Sequence, residues 1–98
     1  MLRLLLILLC IACHGSYAQT TVTGTVTDSE TGSGIEAASI VIKGKLTGTI
    51  TDRSGKFSLQ TNTQTPFTLI VSVVGYQKQD ISVTGATDIK VALVPSAV

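Results

Sequence analysis

The segment Thr21-Val22-Thr23-Gly24-Thr25-Val26-Thr27-Asp28 decides the fold class of this chain. Valine or glycine alternates with threonine, and a period of two is typical of a β-strand with one buried face. The segment ends on an aspartate, whose side chain accepts hydrogen bonds from backbone N–H groups in turns. The pattern therefore predicts a strand that buries its valine and glycine side and then turns.

The same alternation recurs along the rest of the chain. Its apolar positions are Ala38, Ile40 and Ile42; Leu46, Gly48 and Ile50; Phe57 and Leu59; Phe67, Leu69, Val71 and Val73; Ile81 and Val83; and Ile89, Val91 and Leu93. No stretch keeps helical spacing for long enough to predict an amphipathic helix. We therefore predict an all-β domain of about seven short strands, in two facing sheets that each bury their apolar side.

Turn-forming residues separate the predicted strands. Aspartate can bond backbone N–H groups in a turn, glycine can take a positive φ, and proline cannot donate to a strand ladder. The predicted turns are Asp28 to Gly34, Lys43-Gly44-Lys45, Asp52-Arg53-Ser54-Gly55, Asn62 to Pro66, Gly75 with Tyr76, and Gly85-Ala86.

The first eighteen residues have a different composition. Arg3 gives a positive start, Leu4 to Cys13 is almost unbroken apolar sequence, and Ser16 and Ala18 are small residues at the end of a polar stretch. This order predicts a cleavable secretory signal peptide at residues 1–18, cut before Gln19, and one domain at residues 19–98.

Two other interpretations fit the N-terminus less well. A membrane-spanning helix needs roughly twenty apolar residues, about twice the length of this run. A lipoprotein signal would end at Cys13, with Ile11-Ala12 fitting the nearest positions but Cys10 standing where leucine is expected. The cut after Ala18 fits better, and lipidation of Cys13 remains the alternative.

The predicted exported domain has few residues that carry out chemistry. Cys10, Cys13 and His14 all lie in the signal segment, so residues 19–98 contain neither cysteine nor histidine. Six Lys and Arg then balance six Asp and Glu, which gives no basic excess for nucleic acid. We expect no catalytic, cofactor-binding or metal site, and no membrane span within the domain.

The remaining candidates are acidic or aromatic turn residues. Asp28 with Glu30, or Asp28 with Asp52, could pair as carboxylates, but solvated turn residues are the simpler interpretation. The turn at Asp52 lacks the alternating acids and distant glutamate of a calcium loop. Tyr76 could stack on a ligand, although a half-buried ring with a bonded hydroxyl is the expected state.

In order, the chain contains Gly24-Thr25-Val26-Thr27-Asp28, Ala38 to Gly44, Gly48-Thr49-Ile50-Thr51-Asp52, Gly55-Lys56-Phe57-Ser58-Leu59 and Val73-Val74-Gly75-Tyr76. From about Thr21 to Val94 this sequence resembles the carboxypeptidase-regulatory-like domain. The resemblance implies a seven-stranded, prealbumin-like Greek-key β-sandwich and offers no catalytic residues. Its structural motif would be Gly24, Asp28, Gly44, Asp52, Gly55, Phe57, Gly75 and Tyr76.

A domain of this kind directly after a signal peptide is similar to the N-terminal extension of TonB-dependent outer-membrane receptors of the starch-utilisation type. Those receptors import glycans and peptides with a surface lipoprotein partner, and a TonB box, a plug and a β-barrel follow the extension. The chain ends at Val98 without them. The resemblance implies a non-catalytic accessory domain of an uptake receptor, as an N-terminal fragment or truncated product.

Such a domain would be exported to the periplasm or outer membrane of a Gram-negative bacterium. Its partners would be the receptor plug and barrel or other envelope proteins. The alternative is a free-standing periplasmic or secreted β-sandwich that binds a partner through its loops or edge strands.

Overall fold

The computed structural model describes residues 19–85 and 88–96. The predicted signal peptide, the cut after Ala18 and the alternative lipidation at Cys13 lie outside the described residues, as does Ala86 of the last predicted turn. Seven strands are present: β1 (Thr20–Asp28), β2 (Ser39–Ile42), β3 (Gly48–Ile50), β4 (Lys56–Thr61), β5 (Phe67–Ser72), β6 (Gln79–Val83) and β7 (Asp88–Leu93). Within the described ranges, no helix is long and apolar enough to cross a membrane.

The strands form two sheets. One has the order β4-β1-β7, in which β1 is antiparallel to β4 and parallel to β7. The other has the order β3-β2-β5-β6, and all its neighbours are antiparallel. The predicted all-β, seven-stranded, prealbumin-like sandwich is thereby confirmed.

The core lies between the sheets and follows the alternation of the sequence. Its buried hydrophobic residues are Val22, Val26, Ile35, Ala38, Ile40, Ile42, Phe57, Leu59, Phe67, Leu69, Val71, Val83, Val91 and Leu93. Fully burying a large aliphatic or aromatic side chain contributes about 1.5–3 kcal/mol. The period-two pattern is therefore the main source of stability.

The prediction that Leu46, Gly48 and Ile50 form the buried side of the third strand is wrong. Leu46 is fully exposed and Ile50 is 65% exposed, whereas Thr49 is only partly exposed. The reason is register, because Thr49 pairs with buried Ile40 and Ile50 pairs with Ser39. Cross-strand partners share a face of the sheet, so this register turns the threonine inward and the isoleucine outward.

Gly24 lets the centre of the first sheet accept an aromatic ring. It pairs with Phe57 on one side and Ile89 on the other. A Cβ at Gly24 would lie 2.6 Å from the Phe57 ring and 2.4 Å from the Ile89 carbonyl oxygen. The Phe57 ring therefore occupies the space that a side chain at Gly24 would need.

Two loops cross at close range where the chain passes between the sheets. Gly34 lies in the loop before β2, and Gly55 lies in the turn before β4. A Cβ at Gly34 would lie 2.1 Å from the Ser54 carbonyl oxygen, and one at Gly55 would lie 2.3 Å from the Val26 carbonyl oxygen. This crossing requires residues without side chains at both positions.

The buried side chain of Thr51 stabilises the loop that contains Gly34. Its hydroxyl donates to the Ile35 carbonyl oxygen at 2.6 Å and accepts the Ala38 N–H at 2.8 Å. The side chain is 3% exposed, so water cannot readily replace either bond. One buried hydroxyl therefore satisfies two backbone groups of the loop that leads into β2.

We predict that Thr51→Val lowers the free energy of unfolding by about 1–3 kcal/mol, because the isosteric side chain leaves a buried donor and acceptor unpaired. Urea unfolding of the two proteins gives the difference. Thr51→Ser is the control, since it keeps the hydroxyl and should lose clearly less. Equal losses for valine and serine would show that the hydroxyl does not hold this corner.

Candidate functional site

The described residues bring polar and turn-forming groups together at one end of the sandwich. Asp28 ends β1, Gly75 and Tyr76 follow β5, and Pro95 and Ser96 follow β7. We call these five residues the exit clasp, because they surround the chain as it leaves the last strand.

Asp28 is held by the loop that it begins. Its Oδ1 accepts the N–H groups of Glu30 at 2.7 Å and Thr31 at 3.1 Å. Its own N–H donates to the Ser33 carbonyl oxygen, and its carbonyl oxygen accepts the Gly32 N–H, both at 2.8 Å. These bonds fix the carboxylate at the end of β1, with Oδ2 left for another partner.

Tyr76 supplies that partner from the other sheet. Its hydroxyl donates to Asp28 Oδ2 at 2.6 Å, so the bond joins the end of β1 to the turn after β5. Gly75 has a φ of 92°, in the region that glycine enters without strain. The Tyr76 N–H closes the turn on the Val73 carbonyl oxygen at 3.2 Å.

The chain after β7 runs between these two loops. The Ser29 N–H donates to the Leu93 carbonyl oxygen at 2.9 Å, and the Gln77 N–H donates to the Val94 carbonyl oxygen at 2.8 Å. Ser96 then donates to the Gly75 carbonyl oxygen at 2.9 Å, and Tyr76 pairs with Pro95 as an antiparallel bridge. The path of the backbone is therefore fixed as far as Ser96.

The pKa shifts of Asp28 and Tyr76 favour a stable hydrogen bond between the two side chains and do not favour a reactive group. The hydrogen bond from Tyr76 lowers the pKa of Asp28, and the backbone N–H groups of Glu30 and Thr31 lower it further. The same bond raises the pKa of Tyr76, with smaller contributions from burial and from the charges of Asp28 and Glu30. At neutral pH a carboxylate thus accepts from a neutral phenol, and both of its oxygens are occupied.

The other residues of the predicted motif lie outside the clasp. Asp52 Oδ1 accepts the N–H groups of Ser54 at 2.9 Å and Lys56 at 3.0 Å, and Gly55 completes that turn with a φ of 82°. Gly44 also has a φ of 82°, in the turn that the Lys45 N–H closes on Ile42. Gly24 and Phe57 belong to the centre of the first sheet.

Several residues were not found from the sequence. Pro95 and Ser96 carry no side-chain motif, and they join the clasp through backbone position alone. In residues 19–85 and 88–96, no group of three or more His, Cys, Asp or Glu side chains lies close enough to hold a metal ion. The clasp is a structural arrangement of hydrogen bonds between loops.

The two-sheet architecture places this chain among the small β-sandwich domains. Comparison with known families identifies the family to which it belongs. The CarboxypepD_reg-like domain model matches residues 22–97. The chain belongs to the family of CarboxypepD_reg-like domains, and the resemblance found in the sequence is confirmed.

Two curated relatives are TonB-dependent receptors. The receptor SusC of Bacteroides thetaiotaomicron is 39% identical over 71 residues, which is 72% of this chain and 7% of that receptor. A receptor of Formosa agariphila is 35% identical over 81 residues, or 83% of this chain and 8% of that receptor. The chain thus spans less than a tenth of the length of either relative.

Solved structures share the fold. A type II cohesin–X–dockerin complex of Acetivibrio cellulolyticus matches with a TM-score of 0.60 at 18% identity, over 76% of this chain and 56% of that one. A Bacteroides fragilis protein described as membrane-associated and of unknown function matches with a TM-score of 0.57 at 24% identity, over 82% of this chain and 30% of that one. These matches concern the fold alone.

We predict that the stability gained from the Asp28–Tyr76 bond has two pH limits. Because the pKa of Asp28 is lower in the folded protein, its contribution to stability is fully present above the unfolded pKa of 3.8. That contribution is lost as pH falls through the pKa of the folded state. Because the pKa of Tyr76 is higher in the folded protein, its contribution to stability is fully present below the unfolded pKa of 10.0. That contribution is lost as pH rises through the pKa of the folded state. The stability difference between the wild type and Tyr76→Phe should therefore be constant between these limits and shrink beyond both.

Urea unfolding of both proteins across the pH range measures this difference. The control is the same tyrosine substitution in an Asp28→Asn background, where the loss of the difference at low pH should disappear because asparagine does not titrate. If the stability difference between the wild type and Tyr76→Phe did not change with pH, the Tyr76 hydroxyl would contribute nothing to stability through Asp28.

Proposed function

We propose that this chain is a non-catalytic accessory domain of a TonB-dependent outer-membrane nutrient-uptake receptor. The observation that carries the proposal is the 39% identity to the receptor SusC over most of this chain. Because the chain spans 7% of that receptor, its part in uptake would be accessory to the segments that transport. It would occur as an N-terminal fragment or truncated product of such a receptor.

The exit clasp provides a structural basis for this role, because it fixes the path of the backbone after β7. From the last residue of β7 onward the backbone is bonded at Leu93, Val94 and Ser96, so a segment joined there would leave the domain in a fixed direction. A domain attached in this way would transmit its orientation to whatever follows it. A freely flexible linker would lose that orientation within a few residues.

The proposed location is supported by the N-terminal sequence and by the receptor relatives. The predicted signal peptide at residues 1–18 would export the chain, and the domain would lie in the periplasm or at the outer membrane of a Gram-negative bacterium. The receptor plug and barrel would be its first partners, with other envelope proteins as further ones. Enzymatic activity is not part of the proposal, since both Asp28 oxygens are engaged with Tyr76 and backbone N–H groups.

A second candidate is a free-standing periplasmic or secreted binding module. The observation that favours it is the exposure of two large aliphatic side chains, Leu46 and Ile50, beside the edge of the second sheet. Such residues are used at partner surfaces more often than at edges that must stay unpaired.

A segment exchange tests the first proposal. The segment of SusC that matches this chain is replaced in the receptor gene by residues 19–98, and uptake is compared with the native receptor and with a deletion of the segment. We expect the deletion to impair uptake and the exchange to restore it, at equal receptor abundance in the outer membrane. Ser58→Ala, on an exposed β4 position, is the matched neutral variant of the exchanged segment.

An exchange that is as impaired as the deletion would contradict the accessory role, and so would a deletion without effect. Expression of residues 19–98 as a separate exported chain distinguishes the two candidates. Restoration of uptake by the separate chain would favour the free-standing module.

A further inference from the structure

The strand β3 forms one edge of the second sheet and has unused backbone groups. In the described residues its only hydrogen-bonded neighbour is β2. The bonds Ile42 N–H to Thr47 O and Thr51 N–H to Ala38 O, each 3.0 Å, mark alternate bonded pairs of this hairpin. By that alternation Thr49 bonds to β2, while the N–H and C=O groups of Gly48 and Ile50 point to the free edge.

The exposed side chains at this edge are apolar, unlike those on the edge strands β4 and β6. Leu46 is fully exposed and Ile50 is 65% exposed. The outward side chains on the edge strand β4 are polar or charged: Lys56, Ser58 and Gln60. On β6 the exposed positions are likewise polar, Asp80 and Ser82. Polar and charged residues are the usual protection of an edge against pairing, and β3 lacks them.

The charge at the turn that leads into this edge is positive. Residues 37–51 contain Lys43 and Lys45 and no carboxylate. Lys43 pairs with Asp80 across the outer face of the sheet at 3.6 Å. Lys45 makes no ion pair within the described part of the chain and is adjacent to Leu46 in the turn that leads into β3. A negative group on a partner would therefore meet an unpaired lysine there.

We infer that β3 accepts an extended segment of a partner protein as a fifth strand of its sheet. The segment is apolar at alternate positions, which contact Leu46 and Ile50, and acidic at the end that reaches Lys45. About six residues at roughly 3.3 Å each cover this edge. A second copy of the domain is a poorer match, because it brings the same two lysines and no carboxylate on its own hairpin. The inference rests on the β3 edge and is independent of the proposed receptor function.

Amide exchange with a synthetic peptide tests the inference directly. The probe is a six-residue peptide of alternating valine and threonine with a glutamate at one end, added to the ¹⁵N-labelled chain. We expect the peptide to slow the exchange of the Gly48 and Ile50 amide protons, because strand addition bonds the free edge. The Thr49 amide, already bonded to β2, should change little. A peptide with lysine in place of glutamate should bind roughly three- to tenfold more weakly at low salt, and Lys45→Glu should reverse that preference.

Two proline substitutions provide a matched pair. Ile50→Pro removes a free-edge donor and an exposed side chain without removing a bond to β2, and it should weaken binding at least tenfold. Ser58 on β4 is also an exposed free-edge position, because the bonded pair Val26–Gly55 places its N–H away from β1. Ser58→Pro should leave binding unchanged. Retained thermal unfolding midpoints show that both variants fold.

Three results would overturn the inference. The first is no slowing at Gly48 and Ile50 at millimolar peptide, and the second is equal binding of the glutamate and lysine peptides. The third is slowing that rises with protein concentration in the absence of peptide, which would assign the edge to a second copy of the chain.

Discussion

The close crossing of two loops at Gly34 and Gly55 is the constraint on which the rest of the structure depends. At Gly34 the backbone of one loop lies so near Ser54 of the other that no side chain fits between them. The first loop carries the chain from β1 to β2, and the second carries it from β3 to β4. These two passages between the sheets therefore run through one point, where the buried Thr51 hydroxyl bonds the loop that leads into β2.

The exit clasp is built on this crossing. Thr27 forms a bridge with Gly34, and the Ile35 N–H donates to Val26, so the loop folds back on the end of β1. That fold presents Asp28 to Tyr76, and the two loops together hold the backbone after β7. The domain thus combines a two-sheet sandwich, whose backbone is hydrogen-bonded as far as Ser96, with a separate apolar edge at β3.

The alternation of apolar residues was enough to predict the fold, because a two-layer core repeats the same contact along every strand. It did not predict the face of β3, since Leu46-Thr47-Gly48-Thr49-Ile50 alternates equally well in either phase and the register with β2 selects between them. Asp28 and Tyr76 were marked by turn chemistry and family resemblance. Their bond joins residues 48 positions apart, and local sequence carries no sign of it. Pro95 and Ser96 join through backbone groups that every residue possesses.

The most direct measurement of the central claim is the free energy of unfolding of Gly34→Ala against that of Gly85→Ala. Neither glycine has a positive φ, so the comparison isolates space from backbone strain: a Cβ at Gly85 meets nothing within 4 Å, whereas one at Gly34 meets backbone at 2.1 Å. A loss of about 1–3 kcal/mol or more at Gly34, with little change at Gly85, is the predicted result. Equal values would contradict the claim that the crossing of these loops organises the domain.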